Sequence, residues 1–185
     1  MSRLGIYASQ ISGHLASPNS YESISTYTLG SSSSSITFSS IPSTYTHLQL
    51  RIVWFQAVSD QSCFITYNGV STGTSYAYHA MYGNGSSAGA FGSSSQAKWE
   101  TMYDGNNAGS STYEKVGVLD ILDYKNTNKY KTSRFLWGAD YNGSGQVQIA
   151  SSLFQSTNAI SSITFTPFSS NFATNTRIAL YGIKG

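Results

Sequence analysis

Three histidines are the only side chains here whose ordinary pKa suits a general base near neutral pH. His14 lies in the N-terminal segment, His47 begins an alternating run, and His79 precedes a glycine-rich segment. A catalytic triad needs a geometry that no local pattern indicates, and no Gly-x-Ser-x-Gly elbow falls on a strand-to-helix turn. We interpret the histidines as surface or packing residues and predict no catalytic residue and no enzymatic activity.

Thiol and metal chemistry have little support in the sequence. Cys63 is the single cysteine, so no internal disulfide can form, and its apolar surroundings are typical of a small buried hydrophobe. No pair of histidines or cysteines has zinc spacing. Asp120 and Asp123 are separated by two apolar residues, and residues 104–107 lack the closing acid of a calcium loop. We predict no metal site and no cofactor.

Aromatic side chains surround a Gly/Ser-rich segment at residues 83–95, which we interpret as a loop. Rings in such a place are typical of a carbohydrate-binding platform, but cores and subunit interfaces also use them. Packing or subunit contact is the favoured interpretation. The rings are Tyr76, Tyr78, Tyr82, Phe91, Trp99 and Tyr103.

Charge is scarce in this chain of 185 residues. Charged residues make up 10% of it, hydrophobic residues 39% and aromatic residues 14%. The usual charged fraction is about a quarter, and the apolar content is too high for a disordered chain. The net charge of +2 and the lack of a dense basic stripe argue against nucleic-acid binding. The nearest basic cluster is interpreted as a solvated loop; it consists of Lys125, Lys129, Lys131 and Arg134.

Neither a membrane helix nor an export signal is expected. No apolar stretch reaches 18 residues, and the N-terminus lacks a basic region followed by an apolar core. We therefore expect the protein to stay in the cytoplasm or to be assembled there into something larger.

Short alternating runs separated by turn residues follow from residue 21 onward, which is the signature of strands. The strongest is 46–58, where Leu48, Leu50, Ile52 and Trp54 share one face and His47, Gln49 and Arg51 the other. Asn68-Gly69 is a strong hairpin signal, and the chain turns again at Asn142-Gly143. Eight to ten strands at this spacing predict an all-β, antiparallel β-sandwich that resembles a jelly roll.

The domain organisation predicted from these runs is simple. Residues 1–20 contain two glycines and a proline without sustained periodicity, so we interpret them as an extended N-terminal arm. An arm of this kind can bind a partner by adding a strand to a sheet edge; a frayed terminus is the alternative. Residues 21–185 form a single β-sandwich domain.

Read from end to end, the chain resembles a family of small virion structural proteins of bacteriophages that infect aquatic bacteria, cyanophages among them. The segments that carry the resemblance are Arg3-Leu4-Gly5-Ile6 with Ser12-Gly13, Tyr21-Glu22-Ser23-Ile24, residues 35–51 (the most specific part), Asp120-Ile121-Leu122-Asp123-Tyr124 with residues 126–132, and Ala179-Leu180-Tyr181-Gly182-Ile183-Lys184. No catalytic residues are attached to these motifs.

The resemblance implies a structural role in the virion. The leading hypothesis is a capsid decoration (cement) protein, a homotrimer on the outer surface of the head that stabilises the lattice of the major capsid protein. The arm would lie on the shell, with Arg3, Leu4, Ile6, Tyr7, Ile11 and Leu15 as its capsid-binding residues. No nucleic acid or membrane partner is expected.

The alternative hypothesis is a tail-fibre or receptor-binding protein. In that case the aromatic and Asn-rich segment 75–113 would contact host surface glycans, with Trp99 as a contact residue.

Overall fold

A computed structural model describes residues 20–55, 62–103 and 113–185, and every helix or strand assigned in them is a β-strand. The twelve strands are β1 Tyr21–Thr28, β2 Ile36–Phe38, β3 His47–Phe55, β4 Cys63–Tyr67, β5 Tyr76–Gly83, β6 Ala88–Gln96, β7 Trp99–Thr101, β8 Glu114–Leu122, β9 Lys131–Asp140, β10 Gly145–Phe154, β11 Ile163–Pro167 and β12 Arg177–Ile183. The predicted arm lies outside the described residues, except for Ser20.

The strands form two antiparallel sheets that pack as a sandwich, which confirms the predicted fold class. The larger sheet has eight strands in the order β1-β12-β3-β8-β9-β10-β5-β6, and the smaller has four in the order β2-β11-β4-β7. One hydrophobic core fills the space between them.

The jelly-roll character lies in how the strands are nested. β1 pairs with β12 and β3 with β8 in the larger sheet. Within the smaller sheet, β2 pairs with β11 and β4 with β7. The same pairs occur in a single long antiparallel ribbon. When such a ribbon rolls up, its successive strand pairs fall alternately in the two sheets, which is the jelly-roll arrangement.

Two inserted hairpins enlarge this roll. The hairpin β5–β6 lies between β4 and β7 in sequence, and the hairpin β9–β10 lies between β8 and β11. Because β9 pairs with β8 and β5 pairs with β10, the two hairpins together add four strands to the larger sheet. We term these four strands, β9, β10, β5 and β6, the extension.

Strand β3 illustrates how the alternating sequence builds the core. Its side chains at Leu48, Leu50, Ile52 and Trp54 are buried, whereas Arg51 is exposed. The period-two pattern predicted this division of faces, since successive side chains of a strand point to opposite sides of the sheet.

The two Asn-Gly turns have different outcomes. Asn142 (φ 57°) and Gly143 (φ 113°) turn the chain between β9 and β10, as hairpin turns with two left-handed residues do. Asn68 (φ 54°) and Gly69 (φ 68°) also form a tight turn, but the predicted hairpin is wrong. Strand β4 already has β11 and β7 as neighbours, so the chain crosses to the larger sheet instead.

The prediction of a loop over residues 83–95 is also wrong for most of its length. The loop is confined to residues 84–87, where the Asn84 side-chain oxygen accepts hydrogen bonds from the backbone amides of Ser86 and Ser87. Strand β6 begins at Ala88 and pairs with β5. Its small side chains give no apolar alternation, and the strand forms because β5 offers it a ladder of backbone donors and acceptors.

One member of the predicted basic cluster is buried. Lys125 and Lys129 are exposed, as expected, but Lys131 is 0% exposed. Its ammonium donates hydrogen bonds to the carbonyls of Lys129 (2.9 Å), Thr157 (3.1 Å) and Ser156 (3.5 Å). A buried cation needs such partners, so Lys131 ties the start of β9 to the segment after β10.

Candidate functional site

Six apolar side chains lie close together and exposed on the outer face of the larger sheet, the face turned away from the smaller sheet; Leu122 of β8 is exposed on the same face but is separated from them by Asp120. They come from β5, β8, β9 and β10, which are neighbours in the sheet, and their exposed fractions lie between 37% and 61%. Contiguous apolar patches on soluble proteins commonly mark interaction sites. We term this surface the apolar patch; its members are Met81, Val116, Val118, Leu136, Val147 and Ile149.

The register of the strands places four of these side chains in one row. Val118 is opposite Leu136, Leu136 is opposite Ile149, and Ile149 is opposite Met81. Directly opposed residues have their Cβ atoms only about 5 Å apart, so the row is continuous across four strands. A shallow depression of about 340 Å³ adjoins its end at Met81 and Ile149, with Arg134 also lining it.

The inner face of the same strands belongs to the hydrophobic core but also holds two buried polar side chains. In β8, the buried Lys115 ammonium donates to the Met102 carbonyl (2.8 Å) and lies 4.9 Å and 5.5 Å from the ring centroids of Trp54 and Trp137. In β10, the buried Gln148 accepts a hydrogen bond from Trp137 Nε1 (2.7 Å). A slip of one residue would exchange the two faces and expose core residues such as Phe135 and Trp137, so the observed register leaves the apolar patch on the outside.

Beside the apolar patch, polar side chains of β1, β3, β8 and β9 on the outer face are joined by hydrogen bonds. The Tyr21 hydroxyl donates to Gln49 Oε1 (2.5 Å), and Gln49 Nε2 donates to Asp120 Oδ1 (2.9 Å). Arg134 Nη2 donates to the other oxygen of Asp120 (2.9 Å), and the Arg51 guanidinium lies 5.8 Å from the Tyr21 ring centroid. We term these contacts the polar network.

A second concave feature lies between the hairpin β5–β6 and strand β7. Strand β6 is the free edge of the larger sheet and β7 the free edge of the smaller sheet, so the pocket is at an open side of the sandwich. We term this pocket of about 510 Å³ the aromatic pocket; it is lined by Tyr78, Tyr82, Asn84, Ala90, Phe91, Glu100, Tyr103 and Gln146.

Backbone and side-chain packing hold the rings of this pocket in place. The Tyr82 ring lies directly over Gly89, where an added Cβ would come within 2.7 Å of the Tyr82 hydroxyl oxygen. Phe91 packs edge-on against Tyr78, with centroids 6.4 Å apart and planes at 79°. Burial, and then the nearby Glu100 carboxylate, raise the pKa of the Tyr78 hydroxyl above its ordinary value.

Among the predicted chemistry-bearing residues that the structure describes, His47 and Asp123 lie together, with 3.5 Å between His47 Nδ1 and Asp123 Oδ1, and no third such residue joins them. The backbone amide of Asp123 donates to His47 Nδ1 (2.9 Å), while His79 is exposed on the outer face, opposite Ser151. His14 lies outside the described residues. Cys63 is buried, as predicted, and burial raises the pKa of its thiol to about 12.

The acidic pair is engaged in ion pairs. Asp120 accepts from Arg134, and the Asp123 carboxylate accepts a hydrogen bond from the Lys129 ammonium, which lowers the pKa of Asp123. Within residues 20–55, 62–103 and 113–185, no group of three or more His, Cys, Asp or Glu side chains has the geometry of a metal site. Residues 104–107 lie outside the described part.

The predicted aromatic set divides in two. Tyr76 and Trp99 are 0% exposed and belong to the core, so Trp99 cannot serve as the predicted glycan contact. The other four rings line the aromatic pocket, although Tyr78 is only 9% exposed and also belongs to the core; they are Tyr78, Tyr82, Phe91 and Tyr103. The sequence therefore indicated the region of this pocket but not which rings face it.

The predicted capsid-binding residues of the arm lie outside the described residues: Arg3, Leu4, Ile6, Tyr7, Ile11 and Leu15. The apolar patch, by contrast, was not predicted. Its signal was present as valines and isoleucines alternating with polar residues in β8 and β10, but sequence alone assigns such apolar residues to the core.

Comparison with known proteins gives no match to a family model, a curated protein or a solved structure. The described residues include no helix long and apolar enough to cross a membrane.

Proposed function

We propose that the protein is a structural component of a bacteriophage virion, a decoration protein that binds the outer surface of the head and stabilises the lattice of the major capsid protein. The observation that carries the proposal is the apolar patch. The resemblance of the sequence to phage virion proteins suggests that the particle bound by this surface is a phage head.

The chemistry of the patch favours a protein partner. The row from Val118 to Met81 carries no charge, and its side chains are about half exposed. Removing the remaining exposed surface of such a side chain from water gains roughly 1 kcal/mol. Six of them supply enough free energy for a modest interface, which the adjoining depression can extend by accepting a side chain of the partner.

Many copies of the protein bound over one capsid would stabilise it even if each interface were modest. A protein that binds the assembled lattice but not its free subunits stabilises the assembled state by mass action. The proposal includes the predicted arm and a homotrimeric state, because each would add contacts between the bound protein and the capsid.

The test is co-sedimentation of the purified chain with expanded, DNA-filled capsids of the parent phage. We expect the wild type to pellet with the capsids and the double variant Leu136→Asp/Ile149→Asp to stay in the supernatant. The matched control Thr26→Asp/Thr37→Asp adds the same charge at exposed positions outside the patch and should bind normally.

Thermal unfolding of the variants accompanies the assay, because the comparison requires that all of them remain folded. Wild-type protein that fails to bind capsids, or a patch variant that binds as well as the control, would contradict the proposal. Cryo-electron microscopy of the particle gives an independent answer, and density for this chain on the tail alone would overturn the assignment to the head.

A further inference from the structure

We propose that the aromatic pocket binds an alkylammonium group, either the charged end of a lysine side chain or a quaternary ammonium such as that of choline. This inference is independent of the proposed function, because it rests on different residues. Three observations carry it: the arrangement of the rings, an ion-pair-free carboxylate among them, and unused polar groups beside them.

The rings stand at steep angles to one another. The planes of Tyr78 and Phe91 meet at 79° and those of Tyr82 and Phe91 at 48°, with 6.4 Å between centroids in both pairs. A sugar ring stacks best on one flat aromatic surface, whereas a compact cation gains from several rings around it. Each ring face attracts a cation by about 0.5–2 kcal/mol, depending on how far the site excludes water.

The one charged group among the lining residues is negative. Glu100 Oε1 accepts a hydrogen bond from the Ser62 hydroxyl (2.7 Å), which fixes the orientation of the carboxylate. Glu100 makes no ion pair with any residue in the described ranges. A cationic ligand held among these rings would pair with this negative charge.

The two lysines nearest to Glu100 in sequence make other contacts. The Lys98 ammonium lies 5.1 Å from the ring centroid of Phe64, and the Lys115 ammonium donates to the Met102 carbonyl. Neither lysine forms an ion pair with Glu100, so the carboxylate can still pair with a cation brought by a ligand.

Polar groups beside the rings can bind the rest of the ligand. The oxygen of Asn84 is used by Ser86 and Ser87, which leaves its amide nitrogen as a donor. The amide nitrogen of Gln146 donates to the Tyr103 carbonyl (2.8 Å), which leaves its oxygen as an acceptor. A pocket of about 510 Å³ has room for more than an ammonium head, and such groups suit the amide of a peptide or the hydroxyl of choline.

The experiment titrates the full-length protein with choline, with Nα-acetyl-lysine amide and with 3,3-dimethyl-1-butanol, while tyrosine side-chain resonances are followed by NMR. The last compound has the shape of choline without its charge. We expect saturable shifts with at least one of the two cations and none with the neutral compound. The stronger of the two cations identifies the source, a protein side chain or a small quaternary ammonium.

Two variants locate the binding. Glu100→Gln retains the acceptor for Ser62 and should lower the affinity for the cation by about tenfold, the equivalent of 1.4 kcal/mol. Tyr103→Ala removes a ring that is 45% exposed and should lower the affinity several-fold. Glu114→Gln removes the same charge at an exposed position outside this pocket and should leave the affinity unchanged.

The proposal is overturned if neither cation binds, if the neutral compound binds as well as choline, or if Glu100→Gln has no effect on affinity while the protein remains folded. Binding of neutral monosaccharides in place of the cations would also overturn it and would assign the pocket to glycans.

Discussion

The outer face of the eight-stranded sheet has two halves that share one backbone ladder and differ in their exposed side chains. From β1 through β3 and β8 to the first strand of the extension, β9, the polar network joins Tyr21, Gln49, Asp120 and Arg134 through successive hydrogen bonds. Across β8 and the extension, the apolar patch presents side chains that have no such partners. The polar network satisfies its groups within the chain, whereas the apolar patch leaves its side chains open to another surface.

This difference broadly follows the division between the jelly roll and the extension. The eight nested strands close a jelly roll without the two inserted hairpins. The hairpins contribute Met81, Leu136, Val147 and Ile149 to the apolar patch and three of the four rings to the aromatic pocket. Both candidate surfaces therefore depend on the extension.

The largest expected effect compares two neighbours in β9 that point to opposite faces. Phe135 is 0% exposed and Leu136 is 52% exposed. We expect Phe135→Ala to lower the free energy of unfolding by about 3–5 kcal/mol, because it leaves a cavity, and Leu136→Ala to change it by less than about 0.5 kcal/mol. Urea denaturation measures both, and a large loss at Leu136 would show that the patch serves folding.

An intermediate effect is expected where the polar network is broken. Asp120→Ala removes the acceptor of both Gln49 and Arg134. Because the Arg134 side chain is 66% exposed, solvent screens that pair, and we expect a loss of only about 1 kcal/mol in the free energy of unfolding. The matched change in the apolar patch, Val118→Ala, should lower the free energy of unfolding by less. Equal losses in the two variants would contradict the distinction between the polar network and the apolar patch.

The smallest effect concerns pH at the edge of the polar half. Hydrogen bonds from Lys184 and Tyr45 lower the pKa of Glu22 in β1. A carboxyl group whose pKa is lowered in the folded state stabilises that state at pH values above the ordinary pKa of glutamate. This contribution is lost as the pH falls through the lowered pKa. We expect Glu22→Gln to speed amide hydrogen exchange in β1 at pH 7 and to leave it unchanged once wild-type Glu22 is protonated. Faster exchange in the variant at both pH values would show that the effect does not come from the charge of Glu22.

The sequence predicted the fold wherever apolar residues alternate toward the core. Strand β3 is the clearest case, since Leu48, Leu50 and Ile52 are buried as their spacing indicates. Strand β6 was missed, because its alanines, glycines and serines show no such alternation and its pairing depends on β5, which sequence periodicity does not describe.

The candidate surfaces were less accessible to sequence reasoning. In β10, Val147 and Ile149 alternate with Gln148, and the usual interpretation would bury the two aliphatic residues. The structure buries Gln148 instead, because its amide oxygen accepts from Trp137 on the neighbouring strand. The face of a strand is decided by partners from distant segments, and exceptions of this kind are expected at functional sites.

The nested pairing of the jelly roll has a consequence for how the chain reaches its native state. Glu22 and Lys184 are 162 positions apart and joined by a hydrogen bond, and β12 lies between β1 and β3 in the sheet. The first described strand therefore cannot find its place until the last strand has been synthesised. Folding dominated by such remote contacts takes roughly milliseconds to seconds, and a nascent chain stalled before residue 177 would leave both β1 and β3 with open edges.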